Sequence, residues 1–292
     1  MKTHNTPQKA VLPKTWWGEM QALLWLGLPM AFAQLAQFFV FTIDILMIGR
    51  ISPEDLAAAA LGTVIYFFLW MLGSGPVNAV SPLVSQALGA DQNDRKDARR
   101  SVRMALWVIF MMTPIIVLML TFTEPLANKM GQDAQIAKKA GAYVIALGPG
   151  LAFALATMAL RNFLAALGKT KIPFILVMIV TAMNALLNYV FIFGHFGAPR
   201  LELIGAGIAS SLSYIFGFFL FVLYIRLDSH AHSFQVFSKF WKPDWERFRD
   251  VVKLGFPISM TTMFEGMLFN ACLLYTSPSP RDQRGSRMPS SA

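Results

Sequence analysis

The sequence predicts an all-α polytopic membrane protein, and three observations predict it. Of its 292 residues, 55% are hydrophobic and 14% charged, with a mean hydropathy of +0.52, whereas a soluble domain carries about 25% charged residues. The apolar residues gather in runs long enough for a bilayer core, which takes about 20 residues of helix. Lys and Arg gather in alternate connecting segments between those runs. An open chain crosses lipid only as helices or as a closed barrel, and these runs are too long and too uniformly apolar for barrel strands.

The first span covers roughly 22–48 and includes the apolar run Leu23 to Gly49. The second lies within 57–88, without charge, and is interrupted by Gly73, Gly75, Pro76 and Pro82. The third covers 104–122, the fourth 140–160, the fifth 172–194 and the sixth 203–225, and a seventh apolar run starts near Leu254. The basic residues then assign sides. Lys2, Lys9 and Lys14, then Arg95, Lys96, Arg99, Arg100 and Arg103, then Arg161, Lys169 and Lys171, and six more between Arg226 and Lys253 make 17 on one side. Arg50, Lys129, Lys138, Lys139 and Arg200 make 5 on the other. The excess marks the cytoplasmic side and puts the N-terminus there. No cleavable signal peptide is apparent, because the first apolar run begins only near residue 21 and is too long for a signal core.

Several function classes are excluded or weakened. The formal charge of +9 is dispersed in short segments facing lipid headgroups, which leaves no soluble basic face for nucleic acid. Cys272 is the single cysteine, so neither an intrachain disulfide framework nor a cysteine zinc site is available. There is no GxxxxGK[ST] phosphate loop, which argues against an ATP-driven pump, and no nucleophile–His–acid arrangement in the spans, so no enzyme is expected. His230 and His232 form a lone H-x-H in a charged loop, a weak metal signal.

One residue stands against the apolar background. Asp44 lies within the first run, where a charge costs roughly 2.5–3.5 kcal/mol by insertion scales. It is either a carboxylate that reaches the interface near Gly49 and Arg50, or a buried site for a proton or cation. Gln37 lies one heptad before it, and Gln34 shares the same helix, so both are candidate cavity-lining residues. Asn184 and Asn188 in the fifth span are four apart and share a helix face, as interhelical hydrogen-bond donors or as a site. Pro29 and Pro76 are candidate hinges or static kinks. Glu265 is a second intramembrane carboxylate, in the seventh run.

An internal repeat relates the two ends of the chain. WLGLPM at 25–30 and KLGFPI at 253–258 are offset by 228 residues, and each follows a Trp-containing segment with acidic residues. At that offset Glu265 aligns with Gln37. The repeat implies six-helix units, an arrangement common in secondary transporters whose site lies at the interface of the halves. Beyond Tyr275 the chain becomes rich in Ser, Pro and Arg and resembles translated adapter sequence, so the expectation is a truncated reading frame with a disordered or non-native tail.

The stretches LGLPM (26–30), FTIDILMIGR (41–50), SQALGADQNDRKDARR (85–100), LRNFLAALGKTKIPF (160–174), NALLNYVFIFG (184–194), IGAGIASSLSY (204–214) and KLGFPISMTTMFEGMLF (253–269) occur in an order that resembles the multidrug and toxic compound extrusion transporters, in particular their bacterial NorM-type branch. The resemblance covers nearly all of residues 20–271 and implies one six-helix lobe of a two-lobed (6+6) transporter plus the start of a seventh helix. It implies these parts: a cytoplasmic segment 1–20, an N-terminal lobe 21–226, a linking cytoplasmic loop 227–252, the start of the second lobe 253–275 and a tail 276–292. It further implies efflux of amphipathic organic cations in exchange for H+ or Na+, without a cofactor, from a bacterial cytoplasmic membrane by a protein that is monomeric at full length. Asp44, Asn184 and Asn188 would form the coupling-ion site, and Glu265 a second-lobe cation site. A lipid-linked saccharide flippase is the alternative, but a cavity that meets pyrophosphate would favour intramembrane Arg and Lys, which are almost absent here. A non-transporting half is the third reading.

Overall fold

The computed structural model describes residues 15–90, 95–238 and 240–276, apart from a number of side chains in the first helix and at the end of the last. All regular structure among them is helical: α1 (Trp16–Ile48), α2 (Pro53–Ala90), α3 (Arg95–Leu120), α4 (Thr123–Lys129), α5 (Ala134–Ala166), α6 (Lys171–Phe193), α7 (Glu202–Leu227), α8 (Ser229–His232) and α9 (Trp245–Thr276). By length and composition α2, α3, α5, α6 and α7 can each cross a membrane; α1 carries the first apolar run and completes six spans. Residues 1–14 and the tail from 277 onward lie outside the described residues.

Helices α1, α3 and α9 begin well before the spans read from the sequence. The Trp-containing lead-ins are continuous with α1 and α9, and the basic residues before the third span form the first turns of α3. A helix that leaves the hydrocarbon keeps its backbone bonds, so hydropathy marks where lipid ends and not where the helix ends. The segment 227–252, read as loop, therefore includes α8 and the start of α9.

Helix α5 is the axis of the bundle and touches α2, α3, α4, α6 and α7. Its Asp133 cap accepts from the Gln135 and Ile136 amides at 2.8 and 3.3 Å, satisfying two donors the helix leaves unpaired. Its Leu151, Leu155, Leu160 and Phe163 are fully buried. Helix α7 comes close because Gly150 offers no side chain: a Cβ there would lie 2.6 Å from the Ser211 Cα. Ser211 Oγ then reaches across to donate to the Ala146 carbonyl at 2.7 Å. Helix α6 packs on α7, and α1 on α6, while α9 lies against α2 and α3.

Polar side chains tie the basic end. Arg100 of α3 grips the Asp244 carboxylate with both Nε and Nη2, the latter at 3.0 Å. Asp244 also accepts from the Arg247 amide at 3.3 Å and so caps α9. Arg247 returns to Asp97 at 2.8 Å. The Arg100 guanidinium holds the Asp244 carboxyl below the usual carboxylate range, against its partial burial. A carboxyl depressed in the folded state contributes stability that is complete above its unfolded value, about 4, and is lost as pH falls through the folded value. Asp244→Asn should therefore lower the thermal midpoint at pH 7, by about 1–3 kcal/mol equivalent for a charged hydrogen bond. At pH 3 the two midpoints should approach each other. An equal difference at both values would contradict this reading.

Candidate functional site

Asp44 lies just over a turn before the end of α1, which stops at Gly49 with the Gly49 amide bonded to the Ile45 carbonyl at 2.8 Å. The following α2 starts on a reciprocal cap, in which Ser52 Oγ donates to Asp55 Oδ2 at 2.6 Å and accepts from the Asp55 amide at 3.0 Å. Lys139 of α5 reaches Asp55 at 2.9 Å. The α1–α2 corner is thus fixed to the α5 end, which sets the rotation of α1.

That rotation turns Asp44 into the lobe. Its residue is only 9% exposed, so the alternative of a carboxylate reaching the interface is not what the structure shows. Asn188 of α6 donates through Nδ2 to Asp44 Oδ1 and also to Asn184 Oδ1, the second bond at 3.2 Å. Asn184 donates to Ser210 Oγ of α7 at 3.4 Å, and Ser210 Oγ donates to Asp44 Oδ2 at 3.4 Å. Four side chains from three helices close a ring. Asn184, Asn188 and Ser210 are each at most 2% exposed.

The direction of the donors matters. Every bond in the ring runs toward the carboxylate, and both Asn188 N–H groups are used. The Asn188 Oδ1 atom is buried and has no hydrogen-bond partner. An orphaned acceptor in a dry site is costly, about 1–3 kcal/mol, and asks for a ligand. The oxygens available are two of Asp44, the amide oxygens of Asn184 and Asn188, and Ser210 Oγ. Oxygen donors of this kind suit a hard cation. Among the described residues none of the ion pairs involves Asp44, and no three His, Cys, Asp or Glu gather as a metal site. The ring therefore holds one formal negative charge, which matches one proton or one monovalent cation.

Tyr143 of α5 is buried, and Tyr214 stands four residues beyond Ser210 on α7, the helix that packs on α5. Ser210 and these tyrosines were not singled out by sequence reasoning. The serine cluster Ser210, Ser211 and Ser213 in a glycine-rich span was the available signal. Tyr189 turns away, as its place beside Asn188 requires, and stacks on His195 with ring centroids 4.1 Å apart.

The other sequence-derived candidates lie elsewhere or outside the described residues. Glu265 is exposed on α9, a helix that packs on α2 and α3, whereas the ring is built by α1, α6 and α7. Pro76 is buried within α2. The side chains of Pro29, Gln34 and Gln37 lie outside the described residues.

Comparison with known proteins follows this geometry. The family model described as MatE matches residues 29–190. A protein of Rhizobium meliloti named "Probable multidrug resistance protein NorM" is 39% identical over 264 residues, which cover 89% of this chain and 55% of that protein. The protein of the same name from Agrobacterium fabrum is 35% identical over 88% of this chain and 55% of its own length. The chain spans about half the length of the curated relatives it matches. Among solved structures, "Crystal structure of eukaryotic MATE transporter AtDTX14" superposes with a TM-score of 0.79 at 20% identity, over 90% of this chain and 57% of that one. An "Outward-facing conformation of a multidrug resistance MATE family transporter of the MOP superfamily" gives 0.72 at 19% identity, over 83% and 52%. These structural likenesses speak for the fold.

Proposed function

This chain belongs to the MatE family, and from that premise we propose that it is the N-terminal lobe of a multidrug efflux antiporter in which the Asp44 ring binds the coupling ion. The observation that carries the reading is the ring itself: a buried carboxylate served by Asn188 and Ser210 from two other spans, beside an orphaned amide oxygen. With the ion absent, the donors stabilise the carboxylate. With a proton bound, the new O–H needs an acceptor, and Asn188 Oδ1 is the unpaired one. With Na+ bound, the same oxygens serve as ligands and the hydroxyl and amides reorient. Each state asks for a different ring arrangement, which joins α1, α6 and α7 to the ion.

The cargo is an amphipathic organic cation, and the lobe works by alternating access against a second lobe whose first helix is α9. An ion shifts that equilibrium only by its different affinity for the two orientations. Glu265 would serve a cation in the second lobe, Gln34 and Gln37 would line the cavity beside α1, and Pro29 would let α1 bend. The positive-inside bias supports a cytoplasmic N-terminus, and the bacterial sources of the relatives support a place in a bacterial inner membrane. The parts of this arrangement would be a cytoplasmic segment 1–20, the lobe 21–226, a link 227–252 that holds the first turns of α9, the start of the second lobe 253–275 and a tail 276–292.

Proteoliposomes that hold this lobe joined to a second lobe, loaded with a fluorescent organic cation, test the reading. A proton gradient or a sodium gradient, each imposed alone at the other ion's equilibrium, should drive the cation uphill in one case at least. Transport indifferent to both gradients would overturn it.

A further inference from the structure

Ser259 of α9 occupies a place in α2 that a backbone amide would normally fill. Pro76 has no N–H, so the carbonyl of Leu72, four residues earlier, loses its helical donor. Ser259 Oγ donates to that carbonyl at 2.8 Å. The same oxygen accepts from the Gly75 amide at 3.0 Å. Ser259 is 3% exposed, so no water stands in for either bond. On the other side of α2, Asn162 of α5 donates to the Val77 carbonyl at 3.0 Å.

The two backbones must touch for this to work. A Cβ on Gly75 would lie 2.0 Å from the Gly255 carbonyl oxygen and 2.1 Å from Ser259 Oγ. A Cβ on Gly255 would lie 2.7 Å from the Pro76 nitrogen. Only glycine fits at either position. Gly255 belongs to the repeated motif at 253–258, and its counterpart Gly27 has nothing within 4 Å of an added Cβ. The motif therefore makes a backbone crossing at one of its two occurrences in this chain, where Ser259 stands four residues beyond the glycine.

We propose that Ser259 is a releasable staple: it completes the broken backbone of α2 at Pro76 in this conformation and lets go when α9 moves away from α2. Separation of the helices strands the Leu72 carbonyl in a dry seam, so the junction favours closed or fully rearranged states over intermediate ones. The hinge role of Pro76 then belongs to a pair of helices and not to α2 alone. This rests on the antiport reading for its purpose, and its test does not use transport.

The experiment is hydrogen–deuterium exchange of the 292-residue chain in lipid nanodiscs, read on the α2 amides from Val77 to Val80, just beyond the Pro76 break. Ser259→Ala should raise exchange there about tenfold, the loss expected for one buried hydrogen-bond partner. In the Pro76→Ala background the restored amide can bond Leu72, and Ser259→Ala should then change exchange by less than about threefold. Peptides around Asn184 and Asn188 should exchange alike in all variants, which shows that the fold is kept. No increase with Ser259→Ala, or an equal increase in both backgrounds, overturns the staple. Efflux that fails to depend on either ion gradient, with this exchange pattern intact, would instead overturn the antiport reading.

Discussion

Asp44→Asn should reduce ion-driven efflux to less than about one-tenth of the wild-type rate, a difference of at least 1.4 kcal/mol in the driven step, while leaving the folded lobe in place. Asparagine has the shape of aspartate: Asn188 can keep donating to its amide oxygen, and Ser210 Oγ, which faces the other carboxylate oxygen, can turn to accept from its NH2. What disappears is the only formal negative charge of the ring, which on the proposed reading binds and releases the cation. Asn188→Ala should follow with a partial loss, because it removes the direct donor to Asp44 and the orphaned acceptor at once. Asn184→Ala should cost less, since the hydrogen bonds of Asn184 run to Ser210 and Asn188. Efflux rates measured at equal amounts of membrane-inserted protein check the order. Wild-type efflux in Asp44→Asn would remove the residue from the mechanism.

Gly150→Val should have the largest effect on the fold. Even a methyl group there meets the Ser211 Cα at 2.6 Å and Tyr214 Cδ2 at 3.0 Å. The first of these is backbone, so α5 and α7 must separate. Overpacking of this kind costs about 1–3 kcal/mol and sometimes more. The bond from Ser211 to the Ala146 carbonyl would be lost as well, and Ser210, its neighbour, would be carried away from Asp44. The thermal midpoint should drop and efflux with it. Gly89→Ala is the matched control, because nothing lies within 4 Å of an added Cβ there, and it should leave the midpoint unchanged. Equal behaviour of the two variants would show that the α5–α7 approach is softer than the contacts indicate.

The six spans were legible because lipid imposes a length and an apolarity that no short motif can mimic. Their ends were not, since α1, α3 and α9 run on into the interface with charged residues on regular helix. The short α4 and α8 carry too few residues for any period to show. For the site, the four-residue spacing of Asn184 and Asn188 was enough to put them on one face, and the cost of charge in lipid was enough to mark Asp44. Ser210 was hidden because a serine in an apolar helix usually bonds to its own carbonyl four residues back, as Ser213 does to Ala209 at 2.7 Å. Ser259 was hidden for the same reason. Its partner lies 187 residues away in sequence, and only packing of α9 on α2 brings it to the carbonyl that Pro76 freed. The interruptions at Gly73, Gly75, Pro76 and Pro82 do not end α2, and at the Pro76 break a donor from α9 reaches the freed Leu72 carbonyl.

The central claim is that Asp44 exchanges an ion for the cargo, and ion release on cargo binding tests it most directly. Protein in weakly buffered detergent solution is titrated with the organic cation while released H+ and Na+ are both recorded. Wild type should release one of the two on binding, and Asp44→Asn should bind the cation without that release. Equal release from both proteins would contradict the account.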